Sequence, residues 1–256
     1  MAKKSNVKIP AIAIIRLIVF LFIGFIGFWL YNQGVGFLTT SAMFDIKNVL
    51  VDQSISFIDS RPLKDLKGQN IFSVDLVQFH QRLSSQYPQI SQLRVVRQMP
   101  DTIKVLAKKR DILYQVQVHN KYLIVDMEGV TMFYTSTPLP FPIIKGIPIE
   151  RNKIILGTVT VVKELKLMTE LLMQLRSHPR TSRLKVISID AVNLSKIQLI
   201  AVPNIQIIID QEDLTSKVNM LEIIFENGKI NWNQVKYIDI RFKEPIINET
   251  VPIDQK

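Results

Sequence analysis

The 256-residue chain contains no cysteine. That excludes a disulfide framework, a thiol nucleophile, a thiolate-held iron–sulfur cluster and a Cys-based zinc site, and it leaves the redox compartment unread. Glycine is scarce at nine residues, and no Gly-rich phosphate-cradling loop occurs. The three histidines, His80, His119 and His178, are too far apart for a local metal motif. There is no His-Glu-x-x-His and no Gly-x-Ser-x-Gly. Acidic residues are outnumbered 22 to 32 by lysine and arginine, and none precedes Asp45. Neither disorder nor a fibrous repeat fits a chain with 47% apolar and 21% charged residues.

What the sequence does have is one long apolar run near its start. Residues 10–31 carry a single charge, Arg16. At about 1.5 Å per residue such a helix crosses roughly 30 Å, the hydrocarbon thickness of a bilayer. Lys3, Lys4 and Lys8 precede the run, and Arg16 can snorkel toward the same side. Trp29 and Tyr31 close the other end, where amphipathic rings favour the headgroup level. The positive-inside rule therefore puts residues 1–9 in the cytoplasm and the remainder outside. The competing reading is a cleaved signal peptide with a weak site at Thr40, Ser41 and Ala42, but the apolar core is long for a signal.

Beyond the anchor the net charge of +10 is diffuse. Along Leu93-Arg94-Val95-Val96-Arg97, cations alternate with apolar residues as on the solvent face of a half-buried sheet. The run Lys108-Lys109-Arg110 is short and lacks interleaved aromatics, so nucleic acid is not expected as a partner.

Residues 44–51 alternate with period two and predict a strand. A short helical turn at 62–66 ends at Gly68. Ser73 is the expected cap of a helix with Leu76, Phe79, Leu83 and Tyr87 on one stripe, stopped by Pro88. Strands at 92–98 and 102–107 follow, joined by Met99-Pro100-Asp101. The order β-α-α-β-β is complete within about sixty-five residues. Next come a strand pair bracketing His119-Asn120, then 122–126 turning through Gly129 into 130–134. Pro138, Pro140 and Pro142 mark an extended connector. A helix is predicted over 159–175 with Val162, Leu165, Met168, Leu171, Leu172 and Leu175 inward. Strands at 185–191, 196–202 and 205–210, a helix capped by Asp213 and ended by Gly228, and a final strand at 235–242 complete the reading. Of that second helix, Leu214, Val218, Leu221 and Phe225 are expected inward.

Four stretches in this order resemble the FtsQ/DivIB bacterial division proteins. They are Asn70-Ile71-Phe72-Ser73-Val74-Asp75-Leu76, Val96-Arg97-Gln98-Met99-Pro100-Asp101-Thr102-Ile103-Lys104-Val105, Leu123-Ile124-Val125-Asp126-Met127-Glu128-Gly129 and Tyr237-Ile238-Asp239-Ile240-Arg241-Phe242. The resemblance implies an α+β chain with a cytoplasmic tail at 1–9 and a single transmembrane helix at 10–31. A POTRA domain at 44–112 and a mixed α/β C-terminal β domain at 113–247 would follow, with a tail at 248–256. It implies a non-enzymatic divisome scaffold without cofactor or metal, which links early and late division proteins at the septum and contributes to the control of septal wall synthesis. Two departures stand out: Val51-Asp52-Gln53 where the family often has glycine, and Lys109-Arg110-Asp111 where a Glu-Arg-x-Pro-x-Ala stretch is common. The short first tail, with no long polar C-terminal tail, points to the FtsQ side and a Gram-negative inner membrane.

As an enzyme the chain has little to offer. Asp126 and Glu128 sit at a hairpin tip, where a solvated turn is the expected reading rather than a glycosidase pair. The other open class is a POTRA-containing binding module of an envelope assembly or secretion system, but such chains usually carry repeats or a barrel. By resemblance, the expected partners are other divisome membrane proteins, especially small single-pass coiled-coil proteins docking beside the closing strand. The matching residues are Arg241, Phe242, Lys243, Glu244, Ile246 and Ile247, with Arg241 either offered to a partner carboxylate or paired with Asp239, and Phe242 either an apolar anchor or packed into the β domain. A reporter fused after Lys256 is expected to be active only outside the cytoplasm; a processed, freely soluble product would favour the signal-peptide reading.

Overall fold

An apolar helix with no polar face must find an apolar environment all round. In the structure, a computed structural model that describes residues 11–150, 153–202, 204–227, 230, 232 and 234–249, helix α1 runs over Ala11–Thr40. Its large side chains, Phe20, Phe22, Phe25 and Phe28 among them, are exposed, and residues 15–40 are long and apolar enough to cross a membrane. The helix is unbroken past Tyr31, so the helical segment is nine residues longer than the apolar run suggests. Lys3, Lys4 and Lys8 lie outside the described residues.

The chain forms two compact units, one of residues up to 80 with 93–107, the other of 81–92 with 108 onward. Strand β1 (Asn48–Val51), helix α2 (Ser60–Lys64), helix α3 (Leu76–Gln86), strand β2 (Ile90–Gln98) and strand β3 (Thr102–Lys109) follow in the expected order. The three strands form a sheet ordered β1-β3-β2, with β1 parallel to β3 and Asn48 opposite Thr102. The first strand is shorter than the alternation suggests. Residues 42–44 make a 3-10 turn capped by Ser41, and Asp45 forms only an isolated bridge to Asn70. Asp75, not Ser73, caps α3: its carboxylate accepts the Val77 and Gln78 N–H groups at 2.9 and 3.0 Å, and its carbonyl accepts the Phe79 N–H at 3.1 Å. Within Val51-Asp52-Gln53, Asp52 caps another 3-10 turn through the Ser54 N–H at 2.9 Å.

Among the described residues of the second unit, nine strands form one sheet. They are β4 (Ile112–Val118), β5 (Lys121–Asp126), β6 (Thr131–Thr135), β7 (Ile143–Lys145), β8 (Val186–Asp190), β9 (Ile197–Ala201), β10 (Ile205–Ile209), β11 (Val235–Asp239) and β12 (Ile246–Glu249). Their order is β12-β11-β10-β9-β8-β7-β4-β5-β6. Helices α4 (Lys163–Ser177) and α5 (Leu214–Glu226) bury their apolar stripes in the core, Leu165, Met168, Leu171, Leu172 and Leu175 from one and Leu214, Val218, Leu221 and Ile224 from the other. The buried phenol of Tyr114 donates to the Leu165 carbonyl at 2.9 Å, and that burial pushes its pKa up.

Three readings of the sequence change here. The helix predicted from residue 159 starts at Lys163, because Val159 bridges Val130 in extended backbone. Strand β7 was not foreseen; it lies in the proline-rich connector and pairs in parallel with both β4 and β8. The final strand ends at Asp239 and is followed by β12, antiparallel to it. Phe225, expected inward, is partly buried, and Gly228 lies outside the described residues.

Phe79 is 5% exposed, as its helical phase requires, with Leu83 also buried and Leu76 half-buried. Phe79→Ala removes a buried ring, a change that costs about 3–5 kcal/mol. The thermal midpoint of the extramembrane part should fall markedly; an unchanged midpoint would mean the ring contributes nothing to that core.

Candidate functional site

The candidate docking residues fall into a turn and an edge strand. Strand β11 is flanked by β10, parallel to it, and β12, antiparallel to it, so the closing motif itself is not a sheet edge. The edge is β12. Ile246 and Ile247 open that strand, with Ile246 exposed opposite Asp239 and Ile247 packed against the core opposite Ile238. Pro245 stands just before it, where a missing N–H costs no ladder bond. Arg241, Phe242, Lys243 and Glu244 form the connection, Arg241 half-buried and the other three exposed.

Arg241 is not free for a partner's carboxylate. Asp239 takes its backbone N–H at 3.1 Å, its Nε at 3.0 Å and its Nη2 at 2.7 Å, a fork held by one carboxylate. The side-chain hydrogen bonds from Arg241 hold the buried Asp239 carboxyl below its ordinary range although burial opposes this. The same bonds raise the Arg241 guanidinium. Its Cζ lies over the Phe242 ring, 5.3 Å from the ring centre, and that side chain is exposed, at 54%, rather than packed into the domain. From α5, the Lys217 ammonium pairs with Asp210 and donates to the Arg241 carbonyl at 3.3 Å. Lys217 and Asp210 had no signal in the sequence, since they meet the turn only through the sheet order.

The other candidate carboxylates are structural. Asp126, expected in a solvated turn, is buried. One oxygen takes Arg110 Nη1 at 2.7 Å and the other takes the N–H groups of Glu128 at 2.9 Å and Val130 at 2.7 Å. The same Nη1 reaches Glu128 at 2.8 Å. Burial works to depress the Arg110 guanidinium, but the two carboxylates keep it above its ordinary range. The histidines are scattered: His80 contacts the Leu93 carbonyl, His119 occupies a left-handed turn position, and His178 bonds Gln174 and Asn219. Among the described residues no group of three His, Cys, Asp or Glu is placed to hold a metal ion.

An apolar N-terminal helix, a β-α-α-β-β unit and a larger mixed sheet that ends in an exposed aromatic turn fit a single-pass membrane protein with a POTRA-like unit. Residues 61–110 match the POTRA domain of FtsQ type. The chain is 24% identical over 208 residues to the cell division protein DivIB of Clostridium acetobutylicum, covering 78% of this chain and 80% of that one. It is 25% identical over 183 residues to DivIB of Clostridium tetani, covering 70% and 68%. The chain is thus similar to the FtsQ/DivIB cell division proteins, through an FtsQ-type POTRA unit and through both of these relatives. Both named relatives are clostridial DivIB proteins, which gives the expected Gram-negative membrane no support.

Because the folded Asp239 pKa lies below its unfolded value, the contribution of this carboxylate is fully present above the ordinary 3.8 and is lost as pH falls through the lower folded value. The protection factors of amides in the closing turn should therefore stay constant from pH 7 to about 5 and fall only under about pH 4. Asp239→Asn should lower them at neutral pH as well.

Proposed function

We propose that this chain is a membrane-anchored, non-enzymatic scaffold of the division machinery, with its N-terminus cytoplasmic and both folded parts, POTRA at 44–112 and β domain at 113–247, on the far side. It links earlier to later division proteins at the septum and contributes to the control of septal wall synthesis. Its β domain captures a small single-pass coiled-coil division protein by adding a strand beside β12, and Phe242 serves as the apolar anchor. The observation that carries this reading is the exposed Phe242 ring held beside the terminal strand of the sheet. A solvent-exposed aromatic fixed by its neighbours loses little freedom on binding, which is the usual character of an interface anchor. Arg241 acts as a positioning residue: paired with Asp239, it holds the ring rather than the partner.

Replacing both Arg241 and Phe242 with alanine should abolish capture of the coiled-coil partner in a pull-down from detergent, while the domain stays folded and the protein stays in the membrane. Retained capture by that folded double variant would remove the closing turn as the docking site. Aromatic anchors of this kind are worth at least about 2 kcal/mol, so Phe242→Ala alone should weaken capture roughly 30-fold.

A further inference from the structure

The length of α1 carries an inference about the membrane that the apolar run alone does not. Thirty helical residues at about 1.5 Å each reach roughly 45 Å, the thickness of a bilayer with both headgroup layers rather than its hydrocarbon core alone. No charged residue occurs between Arg16 and Asp45. The polar side chains of the last turns fold back on the helix. Asn32 donates to the Phe28 carbonyl at 3.0 Å, Thr39 to Val35 at 2.9 Å and Thr40 to Gly36 at 2.8 Å. Such side chains present less polarity outward, as a helix in a water-poor layer requires.

The end of this helix is joined to the first folded unit without a slack linker. Asn70 Nδ2 donates to the Leu38 carbonyl at 2.9 Å, capping the helix, while its Oδ1 accepts the Phe72 N–H at 2.9 Å. The Ser41 N–H returns to the Phe37 carbonyl at 3.0 Å. Phe37, Phe44 and Phe72 form a continuous edge-to-face chain, with ring centres 6.1 and 5.2 Å apart. Yet Phe37 remains 61% exposed and Met43 59% exposed, and Leu38 is also open. Phe37 and Leu38 belong to the exposed apolar side chains of α1, and Met43 lies in the 3-10 turn that follows it.

We propose that Phe37, Leu38 and Met43 are seated in the outer headgroup layer, so that the first folded unit rests on the bilayer as a fixed extension of the anchor. The partner of this surface is lipid. The proposal rests on the reading of α1 as a membrane helix. Lipid fits because the patch is uncharged, lies at the end of an apolar helix, and falls at the depth where aromatic and apolar side chains meet headgroups.

The cysteine-free chain allows a direct test. Single variants Met43→Cys and Phe37→Cys in the full chain, labelled with an environment-sensitive fluorophore, are reconstituted in phosphatidylcholine–phosphatidylglycerol vesicles. Phe22→Cys serves as the membrane reference and Ser85→Cys as the aqueous one. The probes at 37 and 43 should be quenched by lipids with a shallow nitroxide and shielded from aqueous iodide several-fold relative to position 85. Iodide quenching at 43 equal to that at 85, with position 22 still lipid-quenched, would overturn the seating while leaving the anchor intact. Iodide access at 22 as well would overturn the anchor and the seating together.

Discussion

The larger sheet depends on what one buried amide does for a segment that cannot hydrogen-bond for itself. Pro138, Pro140 and Pro142 lack N–H donors, so the connector between β6 and β7 has few means of fixing its own register. Gln115 supplies them from β4. Its Nε2 donates to the Leu139 and Phe141 carbonyls at 2.6 and 2.8 Å, its Oε1 accepts the Leu139 N–H at 2.9 Å, and its own backbone N–H reaches Pro142. With the connector held, Ile143 and Ile144 align with Gln115 and Val116 on one side and with Ser188 and Ile189 on the other. Strand β7 is three residues long, yet it joins the β4-β5-β6 meander to every strand from β8 to β12. Gly146 ends it at φ +81, and a Cβ there would clash with the Val192 side chain and backbone, so the exit needs glycine on both counts. The closing turn is placed by this chain of registers.

Periodicity made most of the fold legible. The stripe on α4, the Asp213 cap of α5, the positive φ at Gly129 and the alternation of β9 and β10 are local properties, and local properties survive in one dimension. The misses share a cause. Strand β7 is too short to alternate and β12 follows Pro245, so neither carries a pattern of its own. Val159 and Val161 prolong the apolar spacing of α4, but the backbone there is committed to Gly129 and Thr131. The Thr160 N–H bonds the Gly129 carbonyl at 2.9 Å, and the Thr131 N–H bonds Thr158 at 3.1 Å. Ser73 and Asp75 both satisfy the cap preference, and only the observed geometry separates them.

Charge was the least legible property of the site. Arg110 ends a run of three cations and reads as surface, yet its partners Asp126 and Glu128 lie 16 and 18 residues away across a hairpin. Arg241 reads equally as the partner of Asp239 and as a cation offered outward, and the structure shows the pair with Asp239. Lys217 and Asp210 repeat the pattern at the base of the same turn. In each case a half-buried cation meets a buried or half-buried carboxylate that also accepts backbone N–H groups, so desolvation is offset by several bonds rather than by one Coulombic contact. What these pairs provide is position: each fixes a turn whose backbone has no ladder to hold it.

The same logic separates the two ends of the sheet. At the β6 end the chain covers its own edge, for the Gly157 N–H bonds the Thr131 carbonyl at 2.7 Å, the Thr131 hydroxyl bonds Ile155, and Val159 bridges Val130. An edge occupied from within is closed to pairing with another chain. At the other end, β12 is four residues long and enters through Pro245, which limits any added strand to a few bonds. Phe242 lies beside this edge, exposed and held by Arg241. A short edge entered through proline resists open-ended strand addition, so the two ends of the sheet are protected by different means, one covered from within and one kept short.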